Sequence, residues 1–119
     1  QIIQSFYRFY NRLGFGFLEK VYQNALSFEL RKSGLATQAQ KPIKVFYEDV
    51  MVGEYFADLV VNELVIIELK AAEGIAPEHE CQLINYLKAT EHEIGLLLNF
   101  GKKPGVRRKI FTNDRKKDR

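Results

Sequence analysis

The sequence has no tryptophan, one cysteine, one methionine, two histidines and three prolines in 119 residues. The lone cysteine, Cys81, excludes an internal disulfide and fits a reducing cytoplasm. One cysteine and two histidines cannot build a zinc cluster of the usual kind. No apolar run approaches the roughly 20 residues needed to span a membrane, and no secretory signal is visible. Gly14-Phe15-Gly16 lacks the remaining spacing of a nucleotide-binding fingerprint. No serine sits in a nucleophile-elbow pattern. Without tryptophan for sugar stacking, any pair of acids argues less for a glycosidase.

What is present suits one domain, expected over residues 1–113, with a basic, flexible tail over 114–119. Hydrophobic residues make up 46% and charged residues 28%, enough for a modest core. The net charge of +3 is unevenly spread: residues 102–119 hold nine basic and two acidic residues, a net of +7, which leaves −4 on residues 1–101. Lys102, Lys103, Arg107, Arg108 and Lys109 are therefore candidate phosphate contacts, against the plainer reading of a solvated end.

The most informative stretch is Tyr55–Lys70, two apolar runs around a polar break at Asn62–Glu63. Leu64–Lys70 is apolar without alternation, as in a strand buried on both faces. Yet the hairpin carries Asp58, Glu68 and Lys70. Charges buried in such a strand are costly unless paired or bound to metal. Glu68 and Lys70 share a face, roughly 6–7 Å apart along the strand. A two-residue turn would send Asp58 and Glu68 to opposite faces; a three-residue loop, Asn62–Leu64, would set them directly opposite each other. The odd-length loop, or an equivalent bulge, is the expectation. Two carboxylates and a lysine would then converge, as suits Mg2+ (or Mn2+) and phosphodiester hydrolysis.

Around this hairpin, Ile2, Ile3, Phe6, Phe9, Tyr10 and Leu13 predict an amphipathic helix over 2–12. A second helix is expected from Phe17 to Lys32, with Leu18, Val21, Tyr22, Ala25, Leu26 and Leu30 inward and Ser33-Gly34 as its stop. Residues 36–47 read as a strand that Pro42 confines to an edge or a bulge. Glu48-Asp49-Val50 reads as a turn, and Gly53 as a bulge or a close approach. Pro77 suits the start of a third helix with Leu83, Ile84 and Leu87 inward and Gln82 and Tyr86 together on its shoulder. Ile94–Phe100 reads as a buried strand parallel to Leu64–Lys70, and Val106–Thr112 as a last edge strand.

Asp58 followed by Glu68-Leu69-Lys70 resembles the D…(D/E)xK signature of the PD-(D/E)xK nuclease superfamily. Gly16-Phe17-Leu18-Glu19-Lys20-Val21-Tyr22 matches the motif of its GxxExxY family, and Gln82-Leu83-Ile84-Asn85-Tyr86 the QxxxY motif of RecB-type nuclease domains. Asn99-Phe100-Gly101 after an apolar strand is similar too, so the likeness runs from about Leu13 to Ile110. Departures are Ala57 where the superfamily name has proline, Gly14-Phe15-Gly16 where members read Gly-Pro-Gly, and Tyr10 where they carry histidine.

The resemblance implies an α/β (α+β) restriction-endonuclease-like core: a mixed sheet of four to five strands flanked by helices in αβββαβ order. It implies a Mg2+-dependent nuclease with DNA as partner. Asp58, Glu68 and Glu19 would hold the metal, Lys70 would position water, and Gln82 and Tyr86 would support substrate or lysine. Tyr22 stands between site and core, Gln40 is weakly indicated near the site, and His79 reads as structural. The alternatives are a nucleic-acid-binding module without turnover, or a subunit completed by a partner. A homodimer could supply the recognition surface for which 119 residues leave little room.

Overall fold

A computed structural model describes residues 1–116. The elements run α1 (Ile2–Leu13), α2 (Glu19–Lys32), β1 (Thr37–Tyr47), β2 (Val50–Val61), β3 (Val65–Lys70), α3 (Pro77–Ala89), β4 (Ile94–Phe100) and β5 (Pro104–Ile110), then a short 3-10 turn at Asn113–Arg115. One five-stranded sheet has the order β1-β2-β3-β4-β5. Only β3 and β4 are parallel, joined through α3; the other neighbours are antiparallel. This is the mixed α+β architecture expected, with β5 completing the sheet.

The helices cover both sheet faces, so β3 and β4 are buried from either side. On one face α1 and α2 set Phe6, Phe9, Tyr10, Tyr22, Leu26 and Leu30 over Leu59, Val61, Ile67, Leu69, Leu96, Leu98 and Phe100. On the other, α3 sets Leu83, Tyr86 and Leu87 over Ile43, Ala57, Val60, Ile66 and Leu97. Phe100 anchors the first core: Tyr22 stacks on it at 4.1 Å and Phe6 meets it edge-on at 4.9 Å. Burying each such ring stabilises the fold by about 1.5–3 kcal/mol.

Local chemistry explains the boundaries. Gly34 ends α2 with φ +90°, and the N–H groups of Gly34 and Leu35 donate to the carbonyls of Arg31 and Leu30, a Schellman closure. Glu48 and Asp49 both have left-handed φ, the geometry of a tight two-residue hairpin turn. Pro42 is on β1, an edge strand. The bulge near Gly53 is real: Val45 pairs with Gly53 but Phe46 with Met51, leaving Val52 as the extra residue.

One expectation needs correcting. Leu18 is 78% and Val21 39% exposed, so neither faces inward. The helix begins only at Glu19, and its buried residues are Tyr22, Gln23, Leu26, Ser27, Glu29 and Leu30. The Lys116 ammonium donates to the Thr90 and His92 carbonyls just past α3, and Arg115 lies over the Phe111 ring. Residues 117–119 of the expected tail lie outside the described residues.

Candidate functional site

β2 and β3 pair over only three positions, Leu59–Ile67, Val60–Ile66 and Val61–Val65. The connecting loop has three residues, Asn62–Leu64, with Asn62 and Glu63 left-handed. Asp58 and Glu68 are the next pair in that register, as the odd-length loop requires. There the backbone ladder stops and side chains take over. Asp58 N–H donates to Glu68 Oε2 at 2.9 Å, and Leu69 N–H donates to Asp58 Oδ2 at 2.8 Å. Beyond this point β2 continues beside β1, and β3 beside β4. A fork in a sheet strands backbone N–H groups, which must find partners. Here the two carboxylates supply them.

Glu68 is only 5% exposed. Burial, with the Asp58 charge adding to it, pushes its carboxyl up to about 8. Burial also raises Asp58, against the Leu69 N–H, the Lys70 charge and a Gln40 hydrogen bond, which lower it. Among the described residues no ion pair within 4.0 Å claims Asp58, Glu68 or half-buried Lys70. The carboxylates therefore crowd negative charge into a poorly solvated fork. That donor set, all oxygen and incompletely neutralised, fits a hard divalent cation. Glu19 is exposed at the start of α2, and its Oε2 accepts the Ala71 N–H at 3.2 Å. Its charge reaches both Asp58 and Glu68. Among the described residues, however, no three His, Cys, Asp or Glu side chains form a ready metal cluster. A cation held by Asp58 and Glu68 would keep several waters, as Mg2+ commonly does.

α3 brings the shoulder pair to the same region. Gln82 Nε2 donates to the Tyr86 hydroxyl at 2.7 Å. Burial and the Glu68 charge push Tyr86 up to about 12. Tyr86 also packs against Tyr55 at 5.6 Å. Tyr55, Gln82 and Tyr86 line a cavity of about 520 Å³ with Val45, Pro77 and Asn85.

These acids, the lysine and the fork lie within a stretch that a family model matches as a whole: the model of the PD-(D/E)XK nuclease superfamily covers residues 1–109. The chain belongs to the PD-(D/E)XK nuclease superfamily. No curated protein matches it. The crystal structure of SSO0001 is similar, with a TM-score of 0.57 at 17% identity, over 81% of this chain and 52% of that one. At that identity the likeness shows the fold alone, and this chain spans about half the length of that protein.

Within this superfamily member, sequence reasoning underweighted two glutamines. Gln40 stands opposite Asp58 in the β1–β2 register, where backbone pairing skips from Ala39–Leu59 to Lys41–Ala57. Its φ is +51°, left-handed in mid-strand. Gln40 Nε2 donates to Oε1 of Gln23, a side chain only 4% exposed on α2. The pleat inverts at this pair. Thr37 bonds Ser27 of α2, and Leu59 and Val61 join the α1–α2 core, whereas Ile43 and Ala57 join the α3 core. Odd-numbered residues thus change faces at Gln40 in β1 and at Asp58 in β2. The only sequence signal was Gln23 lying four residues after Glu19, on the same helix face.

Other residues prove structural. Tyr22 is fully buried; its hydroxyl donates to the Gly14 carbonyl at 2.7 Å and accepts from Phe17 N–H at 3.2 Å. Tyr10 is also buried and donates to the Gly101 and Lys102 carbonyls. His79 Nδ1 accepts the Ala76 N–H at 3.2 Å, closing the start of α3. Asn99, next to Lys70 in the parallel pair, clasps the loop after Lys70: its side chain accepts from Ala72 N–H at 3.0 Å and donates to Ala72 O at 2.9 Å.

The candidate phosphate contacts are not one patch. Lys109 Nζ lies 2.6 Å from Glu80 Oε1, and Arg107 Nε lies 4.0 Å from Oε2 of the same carboxylate. Arg108 alternates to the opposite face and lines a cavity with Ile2 and Ile3. Lys102 and Lys103 are exposed in the β4–β5 turn. Lys102 lines a cavity of about 350 Å³ with Phe15, Phe17 and Ala71, beside the Glu19 contact.

Proposed function

We propose that this superfamily member is a Mg2+- or Mn2+-dependent nuclease that hydrolyses DNA phosphodiester bonds at the Asp58–Glu68–Lys70 fork. The observation that carries the reading is the exchange of hydrogen bonds between Asp58, Glu68 and the two backbones, with no ion pair claiming Lys70 among the described residues. A bound divalent cation would supply Lewis-acid polarisation of the phosphoryl oxygen and acidification of a water. Asp58 and Glu68 would hold it, and Glu19 would orient a water at the rim.

Lys70 would place a compact positive charge beside the developing negative charge. Tyr86, kept protonated by burial and the nearby acid, would remain a hydrogen-bond donor at neutral pH, with Gln82 fixing its hydroxyl. The finer likeness, to the GxxExxY family, supports Glu19 and Tyr22 as a linked motif in which the acid serves the site and the tyrosine the core.

The test incubates the purified protein with single- and double-stranded DNA in Mg2+, Mn2+ or EDTA, alongside Asp58→Ala and Lys70→Ala. Cleavage should require metal and vanish in both variants. Cleavage that survives both substitutions and EDTA arises elsewhere. Metal-independent, salt-sensitive DNA binding without any cleavage would instead mark a binding module.

A further inference from the structure

We infer that Gln40 is a positioning residue: its left-handed backbone and its bond to buried Gln23 turn the Asp58 carboxylate across the fork toward β3. This rests on the proposed metal-site reading for its functional consequence, but its geometry stands alone.

Left-handed φ is rare for a residue other than glycine, asparagine or aspartate, and its cost persists only where the surroundings impose it. Gln40 adopts it at the fourth position of an eleven-residue strand, directly across from Asp58. Both strands keep their register through this point, so no inserted residue explains the kink. What changes is the face. Ala57 goes to the α3 core and Leu59 to the α1–α2 core, so Asp58 occupies the crossover itself. From there its Oδ2 reaches the Leu69 N–H instead of pointing into either core. The Gln40 side chain favours the charged form of Asp58 from the β1 side, and its amide donates to Gln23 Oε1 at 2.9 Å. Gln40 is itself exposed, so core packing does not account for its strain. Glu19, four residues before Gln23 on α2, is tied to Ala71, so one helix fixes both rims of the fork.

The test uses Gln40→Gly, which accepts left-handed φ without cost and lacks the amide, with Gln40→Ala and Gln23→Leu as companions. Three readouts are taken: melting temperature, hydrogen exchange at the Leu69 amide, and Mn2+ affinity by calorimetry. Gln40→Gly should melt no lower than wild type and above Gln40→Ala, since glycine relieves a strain that glutamine and alanine both carry. Its Leu69 amide should exchange roughly tenfold faster while that of Ile66 does not change. Mn2+ affinity should fall roughly tenfold, the usual effect of losing a group that orients a metal ligand. Gln23→Leu should reproduce both losses in weaker form. In an Asp58→Asn background, Gln40→Gly should cause no further loss of Mn2+ affinity.

Wild-type exchange at Leu69 in both Gln40→Gly and Gln23→Leu would overturn the inference. So would a Gln40→Gly protein that loses stability together with Mn2+ affinity. If wild type binds no Mn2+ and cuts no DNA, the nuclease reading fails, and Leu69 exchange alone decides whether Gln40 positions Asp58.

Discussion

The backbone N–H of Asp58 is held by Glu68 Oε2 at 2.9 Å, so one acid of the site fixes the chain that carries the other. The return bond from Leu69 N–H to Asp58 Oδ2 makes the dependence mutual. Removing one acid should therefore disturb both candidate ligands. Asp58→Ala should abolish metal-dependent cleavage and also free the Leu69 N–H in a half-buried fork, costing about 1–3 kcal/mol. Denaturant unfolding in EDTA measures the second effect without reference to activity. Asp58→Asn, which keeps an acceptor oxygen, should lose cleavage with a smaller loss of stability.

The same burial makes stability depend on pH. Glu68 titrates near 8 in the metal-free fold against an ordinary value of 4.5 when unfolded. A raised acid contributes its stability below pH about 4.5, where both states are protonated, and loses it as pH climbs through the folded value near 8. The melting temperature in EDTA should fall between pH 5 and pH 8.5. Glu68→Gln should flatten that decline and be the more stable protein at pH 8. Protons and a divalent cation compete for the same oxygens, so Mn2+ affinity should rise with pH over that window. A flat melting profile for wild type would show that Glu68 is ionised without cost.

Lys70 should separate binding from chemistry. Its charge partly offsets the two acids, so Lys70→Met should leave Mn2+ binding intact or tighter. Cleavage should drop by roughly 10²–10³, the scale of losing a group that stabilises developing charge. Calorimetry and single-turnover cleavage on one preparation check both halves. A Lys70→Met protein that loses Mn2+ affinity would place the lysine in folding the fork, not in the reaction.

Much of this candidate site's geometry was legible because it offends the rules of burial. Charged residues in apolar strands drew attention to Asp58, Glu68 and Lys70, and strand period two tied the site to a three-residue loop, which the structure has. The helix shoulder that pairs Gln82 with Tyr86 followed from i, i+4 spacing alone. The pleat inversion was not legible, because glutamine has no preference for left-handed φ and nothing local announces Gln40. The inward face of α2 was misread because polar Gln23 and Ser27 are buried on behalf of partners in β1 that are distant in sequence. The same limit hid Glu80, whose pairing with Lys109 and Arg107 becomes visible only once α3 crosses β5.

The loop after Lys70 depends on a close backbone approach. A Cβ on Gly101 would collide with the Ala72 carbonyl oxygen, and Asn99 grips both polar groups of the same residue. Gly101→Ala must push residues 71–73 away and break the Asn99 clasp. Asn99→Ala removes the clasp without the collision. Both should destabilise, Asn99→Ala by about 1–3 kcal/mol for the lost buried bonds. Both should also lower cleavage while leaving Mn2+ affinity near wild type, since the carboxylates lie before the loop. Normal cleavage in either variant would show that the loop is a tether and not part of the site.

The basic residues should differ in what they do for DNA. Each phosphate neutralised by a protein cation contributes about −0.9 to the slope of log affinity against log salt on duplex DNA. Lys109 is committed to Glu80 at 2.6 Å, and the Glu80 carboxyl sits below its ordinary value because of that bond. Lys102 is exposed beside the Glu19–Ala71 contact. Lys102→Gln should therefore reduce the salt slope by roughly one unit, and Lys109→Gln by much less. Glu80→Gln releases Lys109 and Arg107 from their shared partner, so it should steepen the slope and tighten binding at low salt. Fluorescence-anisotropy titrations of a labelled duplex from low to high salt in EDTA measure all three without cleavage. Equal slopes for Lys102→Gln and Lys109→Gln would mean that DNA lies along β5 and competes with Glu80 for its cations.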